Sequence, residues 1–252
     1  MLEKKKIKIK DLEICYLDNN NSTKKAILFV HGWGADKNNL SAIYNTLLGD
    51  YRIISVDLPG FGESEAPKNV IGSVEYSDYI YNLIISLKLE KLSYVGHSFG
   101  GKIGIVLTTT YPDLVEKLIL INSAGLRAKR NLSWYLKVYS FKTLKFIYKN
   151  ILKNDDKIEK LKNKVGSDDY RNAGEMRNIL VKTVREDFSD LLPKIKCPTF
   201  LYWGAKDDAT PIWMAKKMQK LIKDCGLFVV KNGGHFSFVD DGRIVGIIRA
   251  FV

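Results

Sequence analysis

Cysteine is scarce in this chain: Cys15, Cys197 and Cys225 are the only three in 252 residues, and none of their spacings suits a metal site. An odd number of thiols argues against a disulfide framework and for a reducing compartment, so a cytoplasmic location is expected. No apolar run follows the charged opening MLEKKKIKIK, and no signal peptide is expected there. No stretch approaches 18 apolar residues, which argues against a transmembrane helix and stable membrane insertion. Arginine is also rare. Only 8 of the 40 basic residues are Arg, a poor supply of bidentate and stacking donors for reading nucleic acid. Histidine is rarer still, with three residues, so the list of possible imidazole bases is short. No cofactor or metal is expected.

What the chain does have is a recurrence of short apolar runs separated by helical patterns. The runs are AILFV (26–30), RIISV (52–56), LSYVG (92–96), KLILI (117–121), TFLYW (199–203) and LFVV (227–230). Continuous Val, Ile, Leu and Phe suit strands buried on both faces. Apolar spacing near 3.6 predicts helices over about 72–87, 99–111 and 211–224. The alternating stretch KKIKIKDLEICYLD reads as an antiparallel hairpin at the sheet edge. The prediction is an α/β fold, a doubly wound, mostly parallel eight-stranded sheet. Residues 126–190 contain no strand-like run and interrupt that rhythm. They read as a helical cap inserted after the sixth strand, with 1–125 and 191–252 forming the core.

Charge is concentrated in that same interruption. The net charge is +12, and residues 126–196 carry +9 of it, 18 basic against 9 acidic. A lysine-rich, solubilising surface accounts for part of this.

Chemistry enters at YVGHSFGGKIG (94–104), where Ser98 is hemmed in by Gly96, Gly100 and Gly101 between a strand and a helix. Gly96-His97-Ser98-Phe99-Gly100 fits the G-x-S-x-G turn, in which glycines let strand and helix approach around a strained serine. A serine hydroxyl needs a base. His97 adjoins Ser98 and should point away from it. His31, at the end of an early strand in LFVHGWG, is placed beside the substrate pocket. His235, in NGGHFSF after the last strand, is the best base. The orienting acid should lie between serine and histidine in the chain, after a late strand. LYWGAKDDATP (201–211) offers Asp207, the choice, and Asp208, the alternative. The oxyanion donors are the backbone N–H of Phe99, opening the helix, and of Trp33 between Gly32 and Gly34.

FVHGWG, VDLPGFGES (56–64), YVGHSFGG, LYWGAKDDATP and NGGHF together resemble the α/β-hydrolase superfamily along essentially the whole chain. The resemblance implies an acyl-enzyme route, with Ser98 as nucleophile, His235 as base and Asp207 holding the imidazole. A serine at the nucleophile position differs from haloalkane dehalogenases and epoxide hydrolases, which use Asp. What remains is a carboxylic ester hydrolase for small or medium acyl groups, or a thioesterase. HGWG with DLPGFGES is also similar to the pimeloyl-carrier methyl-ester esterases, which implies an acidic acyl carrier protein as partner at the basic cap. Trp134, Tyr135, Val138, Phe141 and Tyr148 line the substrate pocket or pack the cap on the core. A ligand-binding receptor on the same fold is the alternative from another class. The expected state is a monomer or weak dimer.

Overall fold

A computed structural model describes residues 1–127, 140, 141, 143, 144, 146–148, 150, 151, 153, 157 and 168–252. The eight strands are β1 (Glu3–Ile9), β2 (Leu12–Asp18), β3 (Ala26–Val30), β4 (Arg52–Val56), β5 (Leu92–His97), β6 (Val115–Ile121), β7 (Thr199–Gly204) and β8 (Cys225–Val230). They form one sheet in the order β1-β2-β4-β3-β5-β6-β7-β8. Only the β1–β2 hairpin and its junction with β4 are antiparallel; β4 through β8 run parallel.

Side-chain alternation explains why the sheet is covered on both faces. In β3, Leu28 and Val30 join one apolar cluster, whereas Ile27 and Phe29 join the other. The first face packs α2 (Ser73–Ser86), α3 (Phe99–Thr110) and α6 (Trp213–Leu221) through Tyr76, Ile80, Ile103, Leu107, Met214 and Met218. The second packs α1 (Ser41–Tyr44), α7 (Ser237–Asp240) and α8 (Arg243–Phe251) through Ile43, Tyr44, Phe238, Ile244 and Ile248. Each such buried side chain contributes about 1.5–3 kcal/mol through the apolar surface it removes from water. Helix α6 is shorter than its apolar period predicts. Ile222 adopts an extended conformation at its C-terminal end, and the chain then turns into β8.

Between β6 and β7 the structure describes α4 (Asp168–Asn172) and α5 (Arg177–Arg185). Three contacts fasten α5 and the residues after it to the sheet-covering helices. Buried Lys102, one turn after Ser98, donates to the Thr183 carbonyl at 2.6 Å, near the negative end of α5. Burial pulls its ammonium down to about 8, against the opposing pull of Glu186 and Asp187. The Glu186 carboxylate accepts the Ser73 amide at 3.0 Å and the Ser73 hydroxyl, so it caps α2 from a distant segment. Lys182 pairs with Glu75 at 3.0 Å on the same end of α2.

Candidate active site

Parallel strands deliver their following loops to one edge of the sheet, where open α/β sheets bind ligands. The loops after β3, β5, β7 and β8 therefore bring residues 31–34, Ser98, Asp207 and His235 together.

Ser98 lies at the turn between β5 and α3 with φ 50° and ψ −109°, a conformation that L-residues avoid. Its strain is on the order of 1–3 kcal/mol and persists because neighbouring contacts hold it. The Ser98 amide donates to Ile121 O at 3.0 Å, the Ala124 amide donates to Ser98 O at 2.9 Å, and the Tyr94 hydroxyl donates to Gly100 O at 2.7 Å. A Cβ on Gly96 would sit 2.7 Å from the Gly100 backbone.

Asp207 and His235 meet: His235 Nδ1 lies 2.9 Å from Asp207 Oδ2. The carboxylate is buried, and five donors converge on its two oxygens. Oδ2 also accepts from Asn122 Nδ2 at 2.5 Å and Thr210 Oγ1 at 2.6 Å, while Oδ1 accepts the Ala209 and Thr210 amides at 2.9 Å each. Burial alone would raise its pKa, but the hydrogen bonds from His235 and Thr210 outweigh it and hold the carboxyl below its usual value. Asp208, the alternative acid, is exposed and takes no part in this network.

Sequence pattern does not single out Asn122 or Thr210. Asn122 follows β6 directly and adopts φ 43°, a left-handed conformation that Asn tolerates and that turns its amide toward Asp207. Its Oδ1 accepts from the Ser237 hydroxyl at 2.7 Å, tying the acid to α7 after His235. The only signal is an asparagine at a strand end, too common to stand out.

Ser98 Oγ makes no hydrogen bond to His235 Nε2. Such bonds are often long before substrate arrives and tighten in the reacting complex. His235 remains partly open to solvent, with 18% of its side chain exposed.

Phe99 is the first residue of α3, so its N–H has no acceptor within the helix. The Trp33 amide is likewise uncommitted among the described residues. Gly34 has φ +73°, a left-handed turn that a side chain would strain. The Trp33 ring packs edge-on against Phe61 at 4.8 Å and Phe99 at 5.5 Å between centroids, joining the loop after β3 to the start of α3. The loop after β3 is braced further by buried Lys37, whose Nζ meets Asp57 at 2.8 Å and Glu63 at 2.9 Å.

His31, expected beside the substrate pocket, is buried: its Nε2 accepts the Leu58 amide at 3.0 Å, and its Nδ1 donates to Gly32 O at 2.7 Å. The ring is a brace between the loops after β3 and β4. Trp134, Tyr135 and Val138, expected at the pocket, lie outside the described residues. Among the described residues no cluster of His, Cys, Asp or Glu is arranged to hold a metal, and no helix is long and apolar enough to cross a membrane.

The family model of the alpha/beta hydrolase fold matches residues 25–146, spanning the loop after β3 and the Ser98 turn. The chain has the α/β-hydrolase fold. Lipase 1 of Psychrobacter immobilis is 28% identical over 251 residues, covering 90% of this chain and 76% of the lipase. A 2-hydroxy-6-oxo-6-phenylhexa-2,4-dienoate hydrolase of Comamonas testosteroni is 27% identical, covering 92% of this chain and 89% of its own. Among solved structures, a membrane phospholipase A superposes with a TM-score of 0.79 at 24% identity, over 99% of this chain and 85% of that one. At that identity the superposition speaks for the α/β-hydrolase fold alone.

Two of the three histidines are held neutral. Burial pushes the His97 imidazole down to about 3, and burial also lowers His31. Both sites bind protons near the ordinary 6.5 once the chain unfolds. The unfolded state therefore gains protons that the folded state refuses, and stability falls as pH drops below about 6.5. Going from pH 7 to pH 5, His97 alone is expected to remove about 2 kcal/mol of stability. Urea unfolding midpoints at the two pH values measure the slope, and a His97→Phe chain should lose its share.

Proposed function

We propose that this hydrolase is a serine esterase that cleaves carboxylic esters of small or medium acyl groups through an acyl-enzyme intermediate. The supporting observation is the Asp207–His235 bond, set at the same sheet edge as a serine in a strained left-handed turn. Ser98 Oγ attacks the acyl carbonyl and gives its proton to His235 Nε2. Asp207 accepts the Nδ1–H, fixes the ring's tautomer and stabilises the imidazolium that forms. The carbonyl oxygen becomes an oxyanion facing the Trp33 and Phe99 amides; losing one such donor costs about 3–4 kcal/mol of transition-state stabilisation. His235 then protonates the departing alcohol. Water, deprotonated by the same ring, releases the acid from Ser98.

The name of Lipase 1 agrees with ester chemistry. Residues 126–190 are proposed as a cap over this edge. The +9 excess in and around it, over residues 126–196, favours a second reading, a methyl-ester esterase or thioesterase acting on acyl groups bound to an acidic carrier protein. A fluorophosphonate probe tests the esterase: wild type should be labelled and Ser98→Ala should not, whereas equal labelling overturns the mechanism and leaves the ligand-binding receptor. A p-nitrophenyl ester panel from acetate to palmitate then reads acyl preference. For the second reading, turnover of carrier-bound esters should fall with added salt while that of free methyl esters stays level.

A further inference from the structure

His97, the residue between Gly96 and Ser98, is more than a spacer in the turn. It is 2% exposed, and its Nε2 lies 3.0 Å from the backbone carbonyl oxygen of His235, 138 residues away in the chain. A carbonyl only accepts, so Nε2 carries the proton and Nδ1 is bare. Nδ1 is buried without a partner, and a Cβ placed on Gly32 would come within 2.9 Å of it. The ring thus fills the space between the oxyanion loop, the Ser98 turn and the His235 loop. Its other neighbours are aromatic: His235 at 4.9 Å, Phe238 at 5.0 Å and Phe236 at 5.2 Å between centroids.

An apolar ring would fit this aromatic surrounding without an unpaired nitrogen, whose burial is unfavourable. The presence of imidazole is therefore explained by its one hydrogen bond. That bond grips the His235 backbone from beneath, while Asp207 grips the same residue's side chain. Two fixed points on one residue set both the height of the loop and the rotation of the ring. The ring of His97 stays uncharged at working pH because burial opposes its protonation. It is a constant neutral donor, and it cannot compete with His235 for the Ser98 proton.

We infer that His97 is a positioning residue, which holds the His235 loop so that the Asp207–His235 bond and the approach of His235 to Ser98 exist together. This rests on the esterase reading for its effect on turnover, but the positioning itself is measurable without turnover. An imidazole N–H bound to a buried carboxylate gives a low-field proton resonance, which Asp207→Asn should abolish and so assign. In His97→Phe, which keeps the ring and removes the donor, this resonance should broaden or vanish. In His97→Gln, whose amide can reach the same carbonyl, it should return. Turnover should follow: kcat falls at least about tenfold in His97→Phe with KM within about twofold, and His97→Gln recovers most of the loss. His97→Met, flexible and without a donor, replaces the Phe variant if that chain does not fold. A donorless variant that keeps both the resonance and kcat overturns the inference. If wild type hydrolyses no ester, the esterase reading fails, and the resonance still decides the role of His97.

Discussion

Asparagine at position 207 is expected to lower kcat about 10⁴-fold while leaving the fold intact. The carboxylate has no spare acceptor capacity: five donors converge on its two oxygens. An amide of the same shape must place its NH₂ on one of these faces. If it occupies the Oδ1 position, it meets the Ala209 and Thr210 N–H groups; at the Oδ2 position it meets Asn122, Thr210 and His235 Nδ1. The second placement leaves His235 Nδ1 as an acceptor, so the proton moves to Nε2. A ring protonated there cannot take the Ser98 proton. Either placement also leaves buried donors facing one another, for a stability loss of about 1–3 kcal/mol. Asp208→Asn is the matched control, expected within about twofold of wild type because the side chain is exposed. Steady-state ester hydrolysis by the two variants separates the neighbouring acids. A larger loss at position 208 would reverse the assignment.

Much of the architecture is legible in local pattern because the parallel strands are buried on both faces. AILFV and TFLYW announce themselves as unbroken apolar runs, and the alternation within each run divides its residues between the two covering layers. Local sterics make the Ser98 turn legible too, since Gly96 and Gly100 stand where any Cβ would strike backbone. Other features depend on residues far apart in the chain. Asn122 reaches Asp207 across 85 positions, and Lys102 reaches the Thr183 carbonyl across 81. Lys102 stands in the glycine-marked stretch 94–104 and Asn122 at a strand end, but neither pattern names a partner, so composition and spacing are silent about these bonds. His31 shows the converse. A histidine at a strand end near a glycine-rich loop looks available to substrate, yet Leu58 and Gly32 consume both of its ring nitrogens. Chain position foretells the sheet edge at which a side chain arrives, but not which backbone groups already claim it.

Alanine at position 100 should be as damaging to the fold as asparagine at 207 is to turnover. A Cβ on Gly100 would lie 2.2 Å from Val30 O and 2.7 Å from His31 O. Both obstacles are backbone at the end of β3, and Val30 is held in register opposite Gly96 of β5. No side chain can swing aside, so α3 must retreat from the loop after β3. The displacement carries the Phe99 amide away from the Trp33 amide, which separates the two proposed oxyanion donors. A stability loss of about 3 kcal/mol or more is expected, beyond the usual range for overpacking a yielding core. The surviving folded protein should show kcat lowered at least about 10²-fold, comparable to the loss of one donor. Gly246→Ala provides the contrast within the same chain. Gly246 lies exposed in α8, and a Cβ added there would meet nothing within 4 Å, so alanine should stabilise by about 0.5–1 kcal/mol and leave turnover unchanged. Urea unfolding of the two variants, side by side with ester turnover, distinguishes a glycine required by close backbone approach from one that is not. A Gly100→Ala chain as stable and active as wild type would mean that the turn has more room than the Val30 and His31 carbonyls allow.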